Sequence, residues 1–325
     1  MKTNQKNYTV ISFIMFLFIT ACGNKAVKAD VRETDSLVAD TVLQSQMHNA
    51  IEPELAIPFP AIPETIIDPR SRAKYLLDHY WDKLDFNDVS FLNSPDKLEA
   101  SFANFLAIAI SFPVSEVEAN LITPLTKSKG KMLNFFLDNY EKYLYEPNSP
   151  MFNEEYYIPI LKWQVKSPKI SLARQTRSES VLKLTLLNRV GEKAQNFIYT
   201  MADGSKHHLN NIRTPYTLLI FYVPGCRSCE LTVDAIKKDM YWREKVEKGQ
   251  LDILFIYADN DLSAWKNTLI SMPDFVKIGY DEKHEILSKP LYDLKASPTI
   301  YLLNNMFEVL LKDTSLEKVK SVLKD

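Results

Sequence analysis

Apolar residues recur at helical spacing through residues 70–165. In RAKYLLDHYWDKL they fall at 75, 76, 80, 81 and 84, and in KLEASFANFLAIAISF at 98, 102, 105, 106 and 109. GKMLNFFLDNYEKYLY places them at 132, 133, 136, 137, 140 and 144. Each set occupies one face of a 3.6-residue helix, so three amphipathic helices are expected. Pro113, Pro124, Pro147 and Pro150 punctuate them. SESVLKLTLLNRVGEK reads as a further helix, capped by Ser178 and ending before Gly191, with a strand as the alternative. Together these segments predict a small, mostly α-helical domain over 65–189, whose aromatic stripes (Tyr80, Trp81, Phe102, Phe105, Phe135, Phe136, Tyr140) form its core.

After Gly191 the period changes. AQNFIYTMADGSKHHLNNI predicts a β-hairpin turning at Asp203-Gly204. YTLLIFYV and LDILFIYAD are continuous apolar runs of strand length, FVKIGY is a shorter one, and helical segments lie between and after them. TIYLLN and MFEVLLK form a second hairpin, closed by the helix SLEKVKSVLK. Strands alternating with helices, followed by a hairpin and helix, describe an α/β domain over 190–325 with a mixed sheet covered on both faces.

The N-terminus is of another kind. Lys2 and Lys6 precede the apolar run Val10–Ile19, too short for a membrane span, and Ile19-Thr20-Ala21-Cys22 resembles a bacterial lipobox. Residues 1–21 are therefore expected to be a lipoprotein signal peptide, with Cys22 as the lipid anchor. The polar, then proline-rich stretch 22–64 is expected to be a flexible tether. This places the protein in the cell envelope, facing the periplasm because no acidic run follows Cys22; which membrane holds it stays open. The formal charge of −2, or −4 without Lys2 and Lys6, gives no electrostatic case for nucleic acid.

With Cys22 lipidated, the only thiols are Cys226 and Cys229, in FYVPGCRSCE. The pair stands at a strand-to-helix junction. Cys226 would face the positive end of the helix, which lowers a thiol's pKa, and Arg227 would add positive charge. Cys229 lies one turn later on the same face, close enough for a disulfide. A redox pair, a structural disulfide, half a zinc site and a degenerate site all remain readings. His207 and His208 are adjacent in a hairpin and ill-placed to complete a zinc site, and no metal is expected. Glu230 and Asp234 should point outward; His48, His79, His284 and the pair Asp82 and Asp85 read as surface positions.

Ser297-Pro298-Thr299 stands just before the TIYLLN strand. With Cys226 and Cys229 it resembles the thioredoxin superfamily, and GEKAQNFIYTMADGSKHHL…YTLLIFYVPGC resembles the membrane-tethered TlpA/ResA-type thiol-disulfide oxidoreductases. The 68 residues between Cys229 and Pro298 match the insertion of that group. HYWDKLDF and EKYLYEPNSPMFNEEYY look like the helical domain of unknown function fused to such lipoproteins in Bacteroidetes. The resemblance implies a thioredoxin-like fold, a cis peptide before Pro298, Cys226 as nucleophile, Cys229 as resolving thiol, and substrate contacts from Gly225, Arg227, Ser297, Pro298 and Thr299. Three departures stand out. Gly225 replaces the usual tryptophan, Arg227-Ser228 fills the inner dipeptide without proline, and Ile220 occupies the place of a buried carboxylate.

The function expected is a lipid-anchored reductase of protein disulfides, needing no cofactor. Its partners would be disulfide-bearing envelope proteins and a membrane thiol electron donor. The alternative is an envelope binding or scaffold lipoprotein whose thioredoxin-like domain is redox-inactive.

Overall fold

The computed structural model of the chain describes residues 55–323, which lie in one compact unit. Cys22, the signal peptide and most of the expected tether lie outside the described residues.

The helical region contains α1 (Pro69–Asp78), α2 (Pro95–Ala109), α3 (Val114–Lys127), α4 (Gly130–Leu144), α5 (Glu154–Lys166) and α6 (Leu172–Thr185). Helix α1 starts where Asp68 accepts from the Ser71 N–H at 2.7 Å and Pro69 opens the first turn. In α2 and α4 every position of the apolar stripes is buried, together with Ser101 and Asn139, and their rings meet Tyr80 and Trp81 in one core. Trp81 meets Phe136 edge-on at 5.4 Å, and Phe102 meets Tyr140 likewise at 4.8 Å.

Several expectations need correction. The first helix stops at Asp78, not near residue 84; Tyr80, Trp81 and Leu84 reach the core from turns, with the Tyr80 hydroxyl donating to the Ser101 carbonyl at 2.7 Å. Helices α3 and α5 lie in the stretch read as helical but are not among the three stripes delimited there; Pro124, read as punctuation, lies inside α3, and α5 holds Pro159. An interior proline costs about 3 kcal/mol, and here burial of both helices on the core offsets it. Helix α6 begins after Ser171, whose hydroxyl caps the Arg174 N–H; Ser178 lies inside it and donates to Gln164 Oε1 at 3.1 Å. Packing also begins inside the stretch expected to be tether. Ile57 is buried, and its N–H donates to Ser101 Oγ at 3.2 Å.

The sheet has seven strands: β1 (Ile198–Met201), β2 (Lys206–His208), β3 (Tyr216–Phe221), β4 (Leu251–Tyr257), β5 (Lys277–Tyr280), β6 (Thr299–Asn304) and β7 (Val309–Leu311). Their order is β2-β1-β5-β4-β3-β6-β7. Strands β3, β4 and β5 run parallel, β6 is antiparallel to β3, and the two hairpins form the edges. In the central strands alternate residues serve opposite cores. Leu218, Ile220, Ile253 and Phe255 face one; Leu219, Phe221, Leu254 and Ile256 face the other. Burial on both sides explains why β3 and β4 read as unbroken apolar runs. Helices α7 (Arg227–Lys238), α8 (Met240–Glu247), α9 (Leu262–Thr268), α10 (Glu285–Ser288) and α11 (Leu316–Leu323) complete the region.

A buried ionic cluster ties the helical region to the sheet region. Glu154, in the first turn of α5, binds Lys295 through one oxygen and Lys312, at 2.6 Å, through the other. Lys295 also lies 3.0 Å from Asp293 and 3.6 Å from Asp313. Asp313 is the strained member: Oδ2 is buried with no hydrogen-bond partner, and burial outweighs Lys295 to push its pKa up to about 6. Unfolded, it would lose its proton near the ordinary value of 3.8, so stability falls as pH rises between there and about 6. Asparagine tolerates the left-handed φ of +48° at this position as well as aspartate does. Asp313→Asn is therefore expected to stabilise the protein at pH 7.5 by up to about 3 kcal/mol, and by much less at pH 4. Urea unfolding at the two pH values checks this, and equal effects at both would contradict it.

Candidate active site

The chain leaves β3 at Phe221, turns through Pro224 and Gly225, and enters α7 at Arg227, making Cys226 the N-cap residue. Gly225 has φ +75°, which a residue with a Cβ rarely adopts, so glycine is what the turn requires here. Across the site, β6 starts at Thr299, paired with Phe221, the last residue of β3. The loop ahead of it carries Ser297 and Pro298, joined by a cis peptide. The Cys226 thiol donates to the Ser297 carbonyl at 3.5 Å.

The two sulfurs, both free thiols, sit in different surroundings. Cys226 is partly exposed, whereas Cys229 is 3% exposed. Burial opposes ionisation of Cys226, but the neighbouring Cys229 side chain and the backbone of Cys229 and Ser228 in the first turn of α7 favour its thiolate. They hold its pKa below that of an ordinary thiol, against the repulsion of Glu230. Burial pushes Cys229 up to about 12, with the adjacent Cys226 charge adding to the effect. One sulfur is thus ready to attack and the other is held in reserve.

The remaining predicted residues are distributed unequally. Arg227 is exposed and pairs with Glu230 at 3.3 Å. The charge acting on Cys226 is that of Glu230, which raises its pKa, so the support expected from Arg227 is not what the geometry provides. Thr299 is buried, and its hydroxyl donates to the Ala296 carbonyl at 2.6 Å, so its side chain braces the loop instead of facing solvent. Glu230 and Asp234 both point outward.

Two features escaped the sequence reading. Tyr222, directly after β3, is buried, and its hydroxyl meets Thr268 Oγ1 at 3.2 Å. Burial raises it to about 12, with a contribution from the nearby Cys229. The second is Lys295, two residues before Ser297, whose partner Glu154 lies 141 positions earlier. Only the position of Lys295 next to Ser297-Pro298 could have hinted at it.

Comparison with known proteins agrees with this architecture. A family described as a domain of unknown function, DUF5106, matches residues 22–188, and one described as thioredoxin-like matches 215–309. The crystal structure of a thioredoxin-like protein from Bacteroides caccae is 35% identical with a TM-score of 0.79, over 83% of this chain and 98% of that one. The C-terminal domain of an uncharacterized protein from Bacteroides fragilis is 38% identical with a TM-score of 0.41, over 42% of this chain and 99% of its own. No curated protein matches. The chain belongs to the thioredoxin-like family, with a DUF5106 domain ahead of the thioredoxin-like one.

The unequal thiols make a direct prediction. Brief treatment of the reduced, folded protein with iodoacetamide at pH 7.5 should label Cys226 and spare Cys229, as read by peptide mass spectrometry. Equal labelling would contradict the assigned burial and pKa order.

Proposed function

We propose that the protein is a thiol-disulfide oxidoreductase in which Cys226 attacks and Cys229 resolves. The observation that carries this reading is a partly exposed, acidified Cys226 at the N-cap position of α7, one turn from a buried Cys229 and facing the Ser297 carbonyl. The Cys226 thiolate attacks one sulfur of a substrate disulfide. Its S–S bond breaks, a mixed disulfide forms, and the departing thiolate takes a proton. Cys229 then gives up its proton and attacks Cys226 Sγ, releasing the second substrate thiol. The substrate gains two electrons and the protein is left with a Cys226–Cys229 disulfide. A dithiol donor must reduce that bond before the next cycle.

Reduction is the direction we favour. Burial of Cys229 works against its thiolate, and a reduced form that is poorly stabilised makes a better electron donor; the lowered pKa of Cys226 acts the other way, so the potential decides between them. Cys22 would carry the lipid that holds the protein on a membrane of the cell envelope, facing the periplasm. Its substrates would be disulfide-bearing envelope proteins, and its donor a membrane thiol protein.

In cells, Cys229→Ser should accumulate disulfide-linked adducts that dithiothreitol dissolves, and Cys226→Ser should accumulate none. Cys226→Ser should also lower insulin reduction at least about 100-fold. Equilibration with glutathione should give a potential below roughly −200 mV; a value near −120 mV would reverse the direction. Cys22→Ser should move the protein from the membrane to the soluble fraction.

A further inference from the structure

The loop that presents Ser297 to Cys226 is held from outside the thioredoxin-like region. Lys295 turns its ammonium away from solvent, its side chain only 11% exposed, and into contact with Glu154 of α5. The rings of Tyr145 and Phe152 flank that ammonium at 4.6 and 5.0 Å, and Asp293 and Asp313 complete its surroundings. Two further bonds fix the same stretch. The Tyr145 hydroxyl donates to Asp293 Oδ2 at 2.9 Å, and Asn188 Nδ2, just after α6, donates to the Leu291 carbonyl at 2.9 Å. Residues 291, 293 and 295 are thus each tied to the helical region or the linker after it; Ala296 O then accepts from the Thr299 hydroxyl, and Ser297 O meets Cys226 Sγ.

We propose that Lys295, anchored by Glu154, is a positioning residue for the thiol site, and that through it the helical region sets how Cys226 meets a substrate. The proposal rests on the exchange reading given above. A carbonyl oxygen 3.5 Å from sulfur accepts from the thiol and repels the thiolate, so the seated loop favours the protonated form. In the exchange reading the same loop would also line the approach of an extended substrate to Cys226. Freeing it therefore has effects of opposite sign: the thiolate forms more readily, while a bulky substrate loses the surface that orients it. A general loss of stability would not separate the two.

Two variants report on the anchor. Glu154→Gln removes the tie on the helical side at nearly constant shape. Lys295→Met with Asp313→Asn removes it on the loop side and, above about pH 6 where Asp313 is ionised, preserves the net charge of the cluster. In each, the pH profile of Cys226 alkylation by iodoacetamide, followed in the Cys229→Ser background, should shift down by about 0.5–1 pH unit. Glu230 and Tyr222 act alike in every variant, so the shift isolates the loop. In the same variants with Cys229 intact, insulin reduction should fall about tenfold. Lys295→Arg, which keeps the charge, should restore both towards wild type. Folded variants with unchanged profiles and unchanged insulin reduction would overturn the proposal and leave the cluster as structural glue. A wild-type protein that reduces no disulfide would defeat the exchange reading instead, because the alkylation profile reports the loop without any turnover.

Discussion

The antiparallel ladder between β3 and β6 is the constraint on which the rest of the site depends. Its six paired residues run from Tyr216 with Asn304 to Phe221 with Thr299. Because the ladder ends at Phe221 and Thr299, the turn leading to Cys226 and the loop carrying Ser297 leave the sheet side by side. A slip of one residue would turn Leu218 and Ile220 towards the wrong core and carry Ser297 away from the sulfur. Burial of both faces of β3 makes such a slip costly, so the hydrophobic cores hold the catalytic geometry in register.

Within that frame the two cysteines differ for electrostatic reasons. The first sulfur belongs to the N-cap residue of α7, where the first-turn backbone of Ser228 and Cys229 favours its thiolate. The second lies one turn deeper against Val233 and Ile236, where charge is expensive. The same C-x-x-C spacing thus yields an acidified thiol and a reluctant one. Arg227 and Glu230 answer each other in solvent, where such a pair contributes little.

The helical region has its own aromatic core and meets the sheet region through buried charge. Taking five ionic groups out of water is costly, and only close pairing makes it tolerable. Glu154 does this by serving both lysines at once. Asp313 lacks a full partner and remains the weak point of the cluster. Such a junction discriminates between arrangements, because a shifted interface would leave charges buried without partners.

The sequence by itself determined the elements whose signal is local. Amphipathic period marked α2 and α4, continuous apolar runs marked β3 and β4, and the cysteine spacing at a strand-to-helix junction marked the site. It did not delimit α3 because Pro124 speaks locally against a helix, whereas burial of a whole helix face outweighs one lost hydrogen bond. It misread Ser178 as a cap because a serine ahead of apolar residues looks the same whether its hydroxyl bonds its own backbone or Gln164. Only the tertiary structure decided what acts on the sulfurs. The charge beside Cys226 is that of Glu230, since Arg227 is turned to solvent, and Lys295 owes its role to a carboxylate 141 residues away. Electrostatic effects depend on distance and burial in space, and neither can be read from order along the chain.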